Sequence, residues 1–324
     1  MHAPDFWQTD NVISRALSPL SLLWRAGAAW RKATTPALHP GCKVICLGNF
    51  TVGGAGKTPS AQALFGILTG LGHNPHFLSR GYGGTQQGPH RVDLSHDRAS
   101  DVGDEPLLLA RTGPAWVSRN RAAGAEAIKA AGADVIIMDD GLQNPSVIKD
   151  LGIVVIDGAT GFGNGRVLPA GPLRETIKSG FSRVRTAIII GDDKTGLAPQ
   201  MPNHVSVFKA RIRPENANEF AGQKVAAFAG IGRPEKFYQS LRDCGAEIAL
   251  ARDFPDHHLF KPHELAALRA DAQKAGAMLV TTEKDLVRLP FADQTGIRTL
   301  RIALEFDDLP GMTQMIETVF AHGA

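Results

Sequence analysis

The stretch GNFTVGGAGKT (48–58) constrains this chain more than any other. It follows an apolar run, KVICL (43–47), and precedes an apolar-periodic segment through Ala61, Leu64, Phe65, Leu68 and Leu71. Strand, glycine-rich turn and helix form the setting in which backbone N–H groups wrap phosphate oxygens and the helix N-terminus adds its dipole. Gly56-Lys57-Thr58 supplies the second half of the phosphate-loop pattern, while Thr51 stands where the strict pattern has its first glycine. Lys57 is expected to reach the β- and γ-phosphates and the Thr58 hydroxyl to contact Mg²⁺. The nucleotide-binding set is then Thr51, Val52, Gly53, Gly54, Ala55, Gly56, Lys57 and Thr58, with ATP or GTP as ligand.

Further apolar runs at 133–140 (ADVIIMDD), 151–157 (LGIVVID) and 184–190 (VRTAIII) resemble strands covered on both faces, with an alanine-rich helix at 121–131. This alternation predicts a doubly wound parallel sheet. The first run ends in Asp139-Asp140, in the manner of a strand whose acid holds the metal of a nucleotide. After residue 212 the alternation restarts: strands at 224–230, 247–254, 277–282 and 299–306, and helices at 234–244 and 262–275. The reading is therefore α/β, with a P-loop NTPase-like parallel-sheet domain (41–212), a second, smaller α/β domain (213–324), and 205–214 as connector.

Residues 11–40 carry Arg15, Arg25, Arg31 and Lys32 and no acid. Ser18-Pro19 reads as an N-cap followed by proline at the first helical position, and Thr34-Thr35-Pro36 as the stop. At ~100° per residue, Ile13, Leu17, Leu20, Leu23, Trp24 and Trp30 share one arc, with Ser14, Arg15, Ser18, Ser21, Arg25 and Lys32 opposite. Such a helix either packs its apolar face on the protein's own core or lies on anionic lipid. Segment 1–40 is thus an N-terminal amphipathic helix with membrane docking as one of two readings.

Hydrophobic residues at 43% and charged residues at 21% exclude disorder, and a net charge of +3 is too mild for a nucleic-acid binder. Cys42, Cys46 and Cys244 show no metal-like spacing and suit a reducing cytoplasm. No run reaches the ~18 apolar residues of a membrane span. The first fourteen residues hold Asp5 and Asp10 but no Lys or Arg, unlike a secretory leader.

Phosphoryl transfer to an alcohol needs charge neutralisation and a group to take the hydroxyl proton. Asp101-Val-Gly-Asp104-Glu105-Pro106 offers carboxylates before an apolar helix, and Asp253-Phe-Pro-Asp256-His257-His258 offers imidazoles. Arg80, Arg121 and Arg174 could clamp further phosphates. These groups serve equally a kinase of a soluble alcohol. TTEKD (281–285) resembles a guanine-reading element loosely, but lacks the spacer between Lys284 and Asp285 that a GTPase switch would need.

Taken together, GNFTVGGAGKTP (48–59), LSRGYGG (78–84), GDEP (103–106), DDGLQ (139–143), LPAGPLRE (168–175), FPDHH (254–258) and TTEKD (281–285) resemble, in order and over most of the chain, the tetraacyldisaccharide 4'-kinase family. The resemblance implies transfer of the ATP γ-phosphoryl group to the 4'-hydroxyl of a tetraacylated glucosamine disaccharide 1-phosphate in lipid A biosynthesis, with Mg²⁺. It implies Asp104 as catalytic base with His257 as partner, and a second domain that closes to join them. Thr58, Glu105, Asp139 and Gln143 belong around Mg²⁺. Arg80, Arg121, Asp140 and Arg174 become contacts to phosphate or headgroup. It also favours peripheral attachment to the cytoplasmic face of the inner membrane, with no protein partner expected. The chain departs from the family pattern at Thr51, at Asn120 before Arg121, at Leu142 and at Asn144.

Overall fold

In the computed structural model, which describes residues 4–321, two sheets face each other across a cleft. The ends of the expected 1–40 and 213–324 segments, residues 1–3 and 322–324, lie outside the described residues. The nine-stranded sheet is built from β1 (Lys43–Gly48), β2 (Pro75–Ser79), β3 (His90–Arg91), β4 (Ala115–Val117), β5 (Val135–Met138), β6 (Leu151–Asp157), β7 (Thr186–Ile190), β8 (Ser206–Pro214) and a late strand, β13 (Ile302–Phe306). Its order is β13-β8-β7-β6-β1-β5-β2-β4-β3, parallel except at the edges, where β13 and β3 are antiparallel to their neighbours. The chain moves to one side after β1 and returns to the other at β6, so loops diverge at the C-terminal end of β1 and leave a crevice there.

Burial on both faces explains the apolar strands. Helix α2 (Lys57–Gly70) packs Ala61, Leu64 and Leu68 on one face. Between the short α3 (Ala99–Val102) and α4 (Asp104–Ala110) on that side, Gly103 turns with φ +89, and a Cβ there would lie 2.4 Å from the Tyr82 carbonyl. Helix α5 (Arg121–Ala130) packs Ala125 and Ile128 on the opposite face, and α6 (Ile177–Phe181) adds Phe181.

The second sheet, order β10-β9-β11-β12, comprises β9 (Lys224–Ala229), β10 (Glu247–Asp253), β11 (Met278–Thr282) and β12 (Arg298–Leu300). Helix α7 (Pro234–Asp243) covers one face with Phe237, Tyr238 and Leu241, and α8 (Pro262–Lys274) the other with Leu265 and Leu268. The short α9 (Glu283–Leu286) follows β11 directly.

Three expectations need correction. The run 299–306 is not one strand. It divides at Arg301: the Asn216 side chain donates to the Thr299 carbonyl (3.0 Å) and accepts from the Arg301 amide (2.9 Å), and the chain crosses from the small sheet to the large one. There β13 completes the edge beside β8, and α10 (Leu309–Ala321) buries Met312, Ile316 and Val319 in the large sheet's core. The last segment of 213–324 therefore packs with the first unit. Residues 205–214 are likewise a full strand, β8, of the large sheet.

The N-terminal helix also starts earlier than its proline suggested. Helix α1 runs Val12–Thr34 because Asn11 and Ser14 exchange side-chain to backbone hydrogen bonds (3.0 Å each), and Pro19 lies inside it. Ser18, expected as the cap, instead receives Arg166 at 2.5 Å. Only Ser14 and Ser21 of α1 are buried, Ser21 donating to the Val167 carbonyl at 2.7 Å. Leu23 and Trp30 are each 72% exposed, and Ile13, Leu20, Leu22 and Trp24 are exposed as well. The Ser14 and Ser21 side faces the protein, and most of the Leu/Trp arc is exposed, with Leu23 and Trp24 along the edge of the cleft.

Candidate active site

Between the sheets and α1 lies a cleft of about 3600 Å³. The phosphate loop forms its floor. Gly56 takes φ +86 at the start of α2, a left-handed conformation that favours glycine, and a Cβ there would press on the Ile190 side chain at 2.5 Å. The loop's first position tolerates Thr51 because it is extended: it bridges Leu173, and the Val52 amide donates to the Pro172 carbonyl at 2.8 Å. Asn49 spans the loop, donating to the Gly53 carbonyl (3.0 Å) and accepting from Lys57 Nζ (3.3 Å). Lys57 and Thr58 are buried at the cleft wall, and Lys57 Nζ lies 3.9 Å from Asp140 Oδ1.

The end of β5 sits next to β1, which brings Asp139 and Asp140 beside the loop. Asp140 has φ 50 and accepts twice from Arg174 NH1 (2.8 and 3.0 Å). Burial works against its ionisation, but Lys57 and Arg174 outweigh that and keep its pKa low. Asp139 behaves oppositely. Both its oxygens are buried without a partner, and burial, with Glu105 nearby, pushes its pKa up to about 7. A buried carboxylate with empty lone pairs wants a cation.

Among the described residues no group of three or more His, Cys, Asp or Glu is arranged to hold a metal. One carboxylate, the Thr58 hydroxyl and the phosphates of a nucleotide are the hard oxygen set that Mg²⁺ takes. Asp139 therefore fits a metal that arrives with its nucleotide. Gln143 spends its amide N–H groups on the Asn49 carbonyl (3.1 Å) and Glu175 Oε1 (2.9 Å), leaving its carbonyl oxygen for the cleft. Glu105 receives Lys284 Nζ at 3.2 Å from the second sheet, so it is shared between any metal and that lysine.

Across the cleft the structure joins Asp104 and His257, 153 residues apart, with Nδ1 3.1 Å from Oδ2. Asp104 is only 6% exposed; His257, with φ 59, faces the cleft. Asp140 and His257 are the only non-glycine residues with positive φ among the described residues, and both lie in this site. Burial opposes ionisation of Asp104, but the hydrogen bond with His257 and the charges of Arg288 and Lys284 hold its pKa below the usual carboxylate range. The bond to Asp104 in turn raises the pKa of His257.

Arg80 is exposed at the cleft wall. Arg121 is buried beside it, donates to the Ser118 carbonyl and leaves Nε without a partner; burial first, then Arg80, lowers its pKa to about 10. Asn120 caps α5 through the Ala123 amide at 3.2 Å, so no acid is needed before Arg121. Leu142 lies buried under Gly48, whose Cβ would come within 2.7 Å of it.

Asn49, Glu175, Lys284 and Arg288 carry site contacts that sequence reasoning assigned to no role. The first three stand inside motifs already singled out, which was the available signal. Arg288 stands just beyond TTEKD and had none except its i,i+3 spacing from Asp285.

The model of the family described as tetraacyldisaccharide-1-P 4'-kinase matches residues 13–321. A tetraacyldisaccharide 4'-kinase of Methylobacterium radiotolerans is 50% identical over 321 residues, covering 98% of each chain. One from Paramagnetospirillum magneticum is 47% identical over 322 residues, covering 98% of this chain and 99% of its own. Among solved structures, LpxK from Aquifex aeolicus, crystallised in complex with ATP, aligns with TM-score 0.77 at 25% identity over 95% of this chain and 100% of that one.

Proposed function

The chain belongs to the tetraacyldisaccharide-1-P 4'-kinase family, and on that premise we propose how its residues carry out ATP-dependent phosphorylation of the lipid A disaccharide precursor. The acceptor is the 4'-hydroxyl of a tetraacylated glucosamine disaccharide 1-phosphate, and the transferred group is the γ-phosphoryl. The observation that carries the reading is the Asp104–His257 pair, whose imidazole lines the same cleft as the phosphate loop. Loop amides 51–58 and Lys57 bind the triphosphate. Thr58 and Asp139, with the Gln143 carbonyl and Glu105, would hold Mg²⁺, which would supply neutralisation of phosphate charge. Asp104 accepts the hydroxyl proton, with His257 orienting it and facing the acceptor. Arg174, fixed by Asp140, and the Arg80–Arg121 pair hold the acceptor's anionic groups.

We further propose that α1 docks on the anionic cytoplasmic face of the inner membrane. An exposed Leu/Trp arc on a helix that also carries the exposed Arg15, Arg25, Arg31 and Lys32 and no acid supports this. The Trp24 indole, which donates to the Arg174 carbonyl at 2.8 Å, links that helix to the acceptor side of the cleft. No helix of the described residues is long and apolar enough to cross a membrane.

The test is phosphate transfer from ATP measured with the acylated disaccharide monophosphate, with simple sugars, and with no acceptor. Transfer confined to the lipid is expected. Equal transfer to simple sugars would move the reading to a kinase of soluble alcohols, and acceptor-independent GTP turnover to a nucleotide switch.

A further inference from the structure

Arg288 follows α9 in the second sheet's half, and its side chain is 2% exposed. Its Nε and NH2 donate to Asp104 Oδ2 at 3.2 and 2.5 Å. Its NH1 donates to the Gly230 carbonyl (2.6 Å) and Asp285 Oδ1 (2.8 Å). Asp285 is itself fixed by the Gly230 amide (3.1 Å) and the Thr282 hydroxyl (2.7 Å). The Gly230 carbonyl also accepts the His257 amide at 3.1 Å. One carbonyl therefore references both the guanidinium and the backbone that carries the imidazole.

The two Asp104 oxygens are used unequally. Oδ2 takes two donors from Arg288 and one from His257, whereas Oδ1 takes only the amide of Glu105 at 3.1 Å. A planar fork can grip one carboxylate oxygen and still reach a carbonyl and a second carboxylate behind it; a lysine ammonium is a point charge without that geometry.

We propose that Arg288 is the positioning residue of the Asp104–His257 pair: reaching across from the second sheet, its guanidinium fixes the carboxylate against the imidazole and leaves Oδ1 as the oxygen with unused acceptor capacity. It acts through Asp104, its NH2 lying 3.3 Å from His257 Nδ1 as well, and it does not line the cleft. The proposal rests on the reading of Asp104 as the group that handles the acceptor proton.

The experiment compares the native full-length protein with Arg288→Lys, Asp104→Asn and the double variant, reading kcat with ATP and the acylated disaccharide monophosphate, the Kd of ATP, and Tm. Arg288→Lys is expected to lower kcat on the order of 10–100-fold with the ATP Kd within about 3-fold, since a displacement near 1 Å at reacting groups costs about that much. On the Asp104→Asn background the same change is expected to cost less than about 2-fold, because groups acting as one unit are not additive. A kcat for Arg288→Lys within about 2-fold of native, or its full penalty recurring on the Asp104→Asn background, overturns the proposal. An Asp104→Asn variant with near-native kcat overturns the reading beneath it instead. Should Arg288→Lys not fold, Asp285→Asn loosens the guanidinium's second anchor: a kcat lowered about 3–10-fold that vanishes on the Asp104→Asn background supports the proposal, and an unchanged kcat rejects it.

Discussion

The two walls of the cleft hold their charges in different ways. On the phosphate-loop wall the groups come from adjacent strand ends of one sheet, and one of them, Asp139, is left buried without a partner. From the opposite wall His257 and Arg288 of the second unit reach over to Asp104 of α4, which packs on the large sheet, 153 and 184 residues away in the chain, and Oδ2 of Asp104 is saturated. The first wall is short of a cation and waits for its ligand; the second is already satisfied before any ligand arrives. Incomplete bonding suits a group that must bind an incoming metal, and complete bonding suits a group whose orientation must not drift.

Substitutions on the two walls should then fail differently. Asp104→Asn is expected to lower kcat on the order of 10²–10⁴-fold while the ATP Kd stays within about 3-fold, read by turnover and calorimetry. Asparagine is preferred to alanine because removing the carboxylate's bulk would also leave Arg288 buried with a void. Lys57→Ala, on the other wall, should cost on the order of 10²–10³-fold in rate and weaken ATP binding together with it. His257→Ala should act on the same step as Asp104 but less, about 10-fold to 100-fold, since Arg288 still holds the carboxylate. A parallel loss of ATP affinity in Asp104→Asn would erase the distinction between the walls.

Asp139→Asn sharpens the comparison from the stability side. Neutralising a buried, unpartnered carboxylate should abolish most turnover yet raise the Tm of the nucleotide-free protein by about 1–3 °C in calorimetry. Smallest in its effect on chemistry is the α1 pair Leu23→Ser with Trp30→Ser. Both side chains are 72% exposed, so folding and ATP binding should be unchanged while partitioning onto anionic vesicles falls. Trp24 is a poorer choice, since its indole also donates to the Arg174 carbonyl.

The same division decides what could be read from the chain. The loop 48–58 and the Asp139-Asp140 strand end are each contiguous in the chain, so local pattern alone suggested a role for each. The pairing of Asp104 with His257 entered through likeness to a family, because no periodicity connects residues 153 apart. Arg288 was illegible: a lone arginine after a short helix looks like any surface charge until the fold buries it. The crossing at Arg301 was hidden for a related reason, since 299–306 reads as a strand from end to end and the Asn216 side chain marks where it changes sheets. In α1 the amphipathic pattern was plain but its sense was not; Ser21 donates to the Val167 carbonyl and Ser18 accepts from Arg166, which turns the serine side inward.

That inward serine stripe has a geometric consequence. A helix lashed to the body by short hydroxyls, and by one indole next to Arg174, has little freedom to tilt or pivot. If its outer arc rests among lipid headgroups, the catalytic cleft stands at a set altitude over the bilayer, like a press mounted above its bed. A sugar whose acyl tails remain submerged would then be presented at one height only, and the length of its headgroup, rather than its affinity, would decide whether the hydroxyl reaches the phosphate.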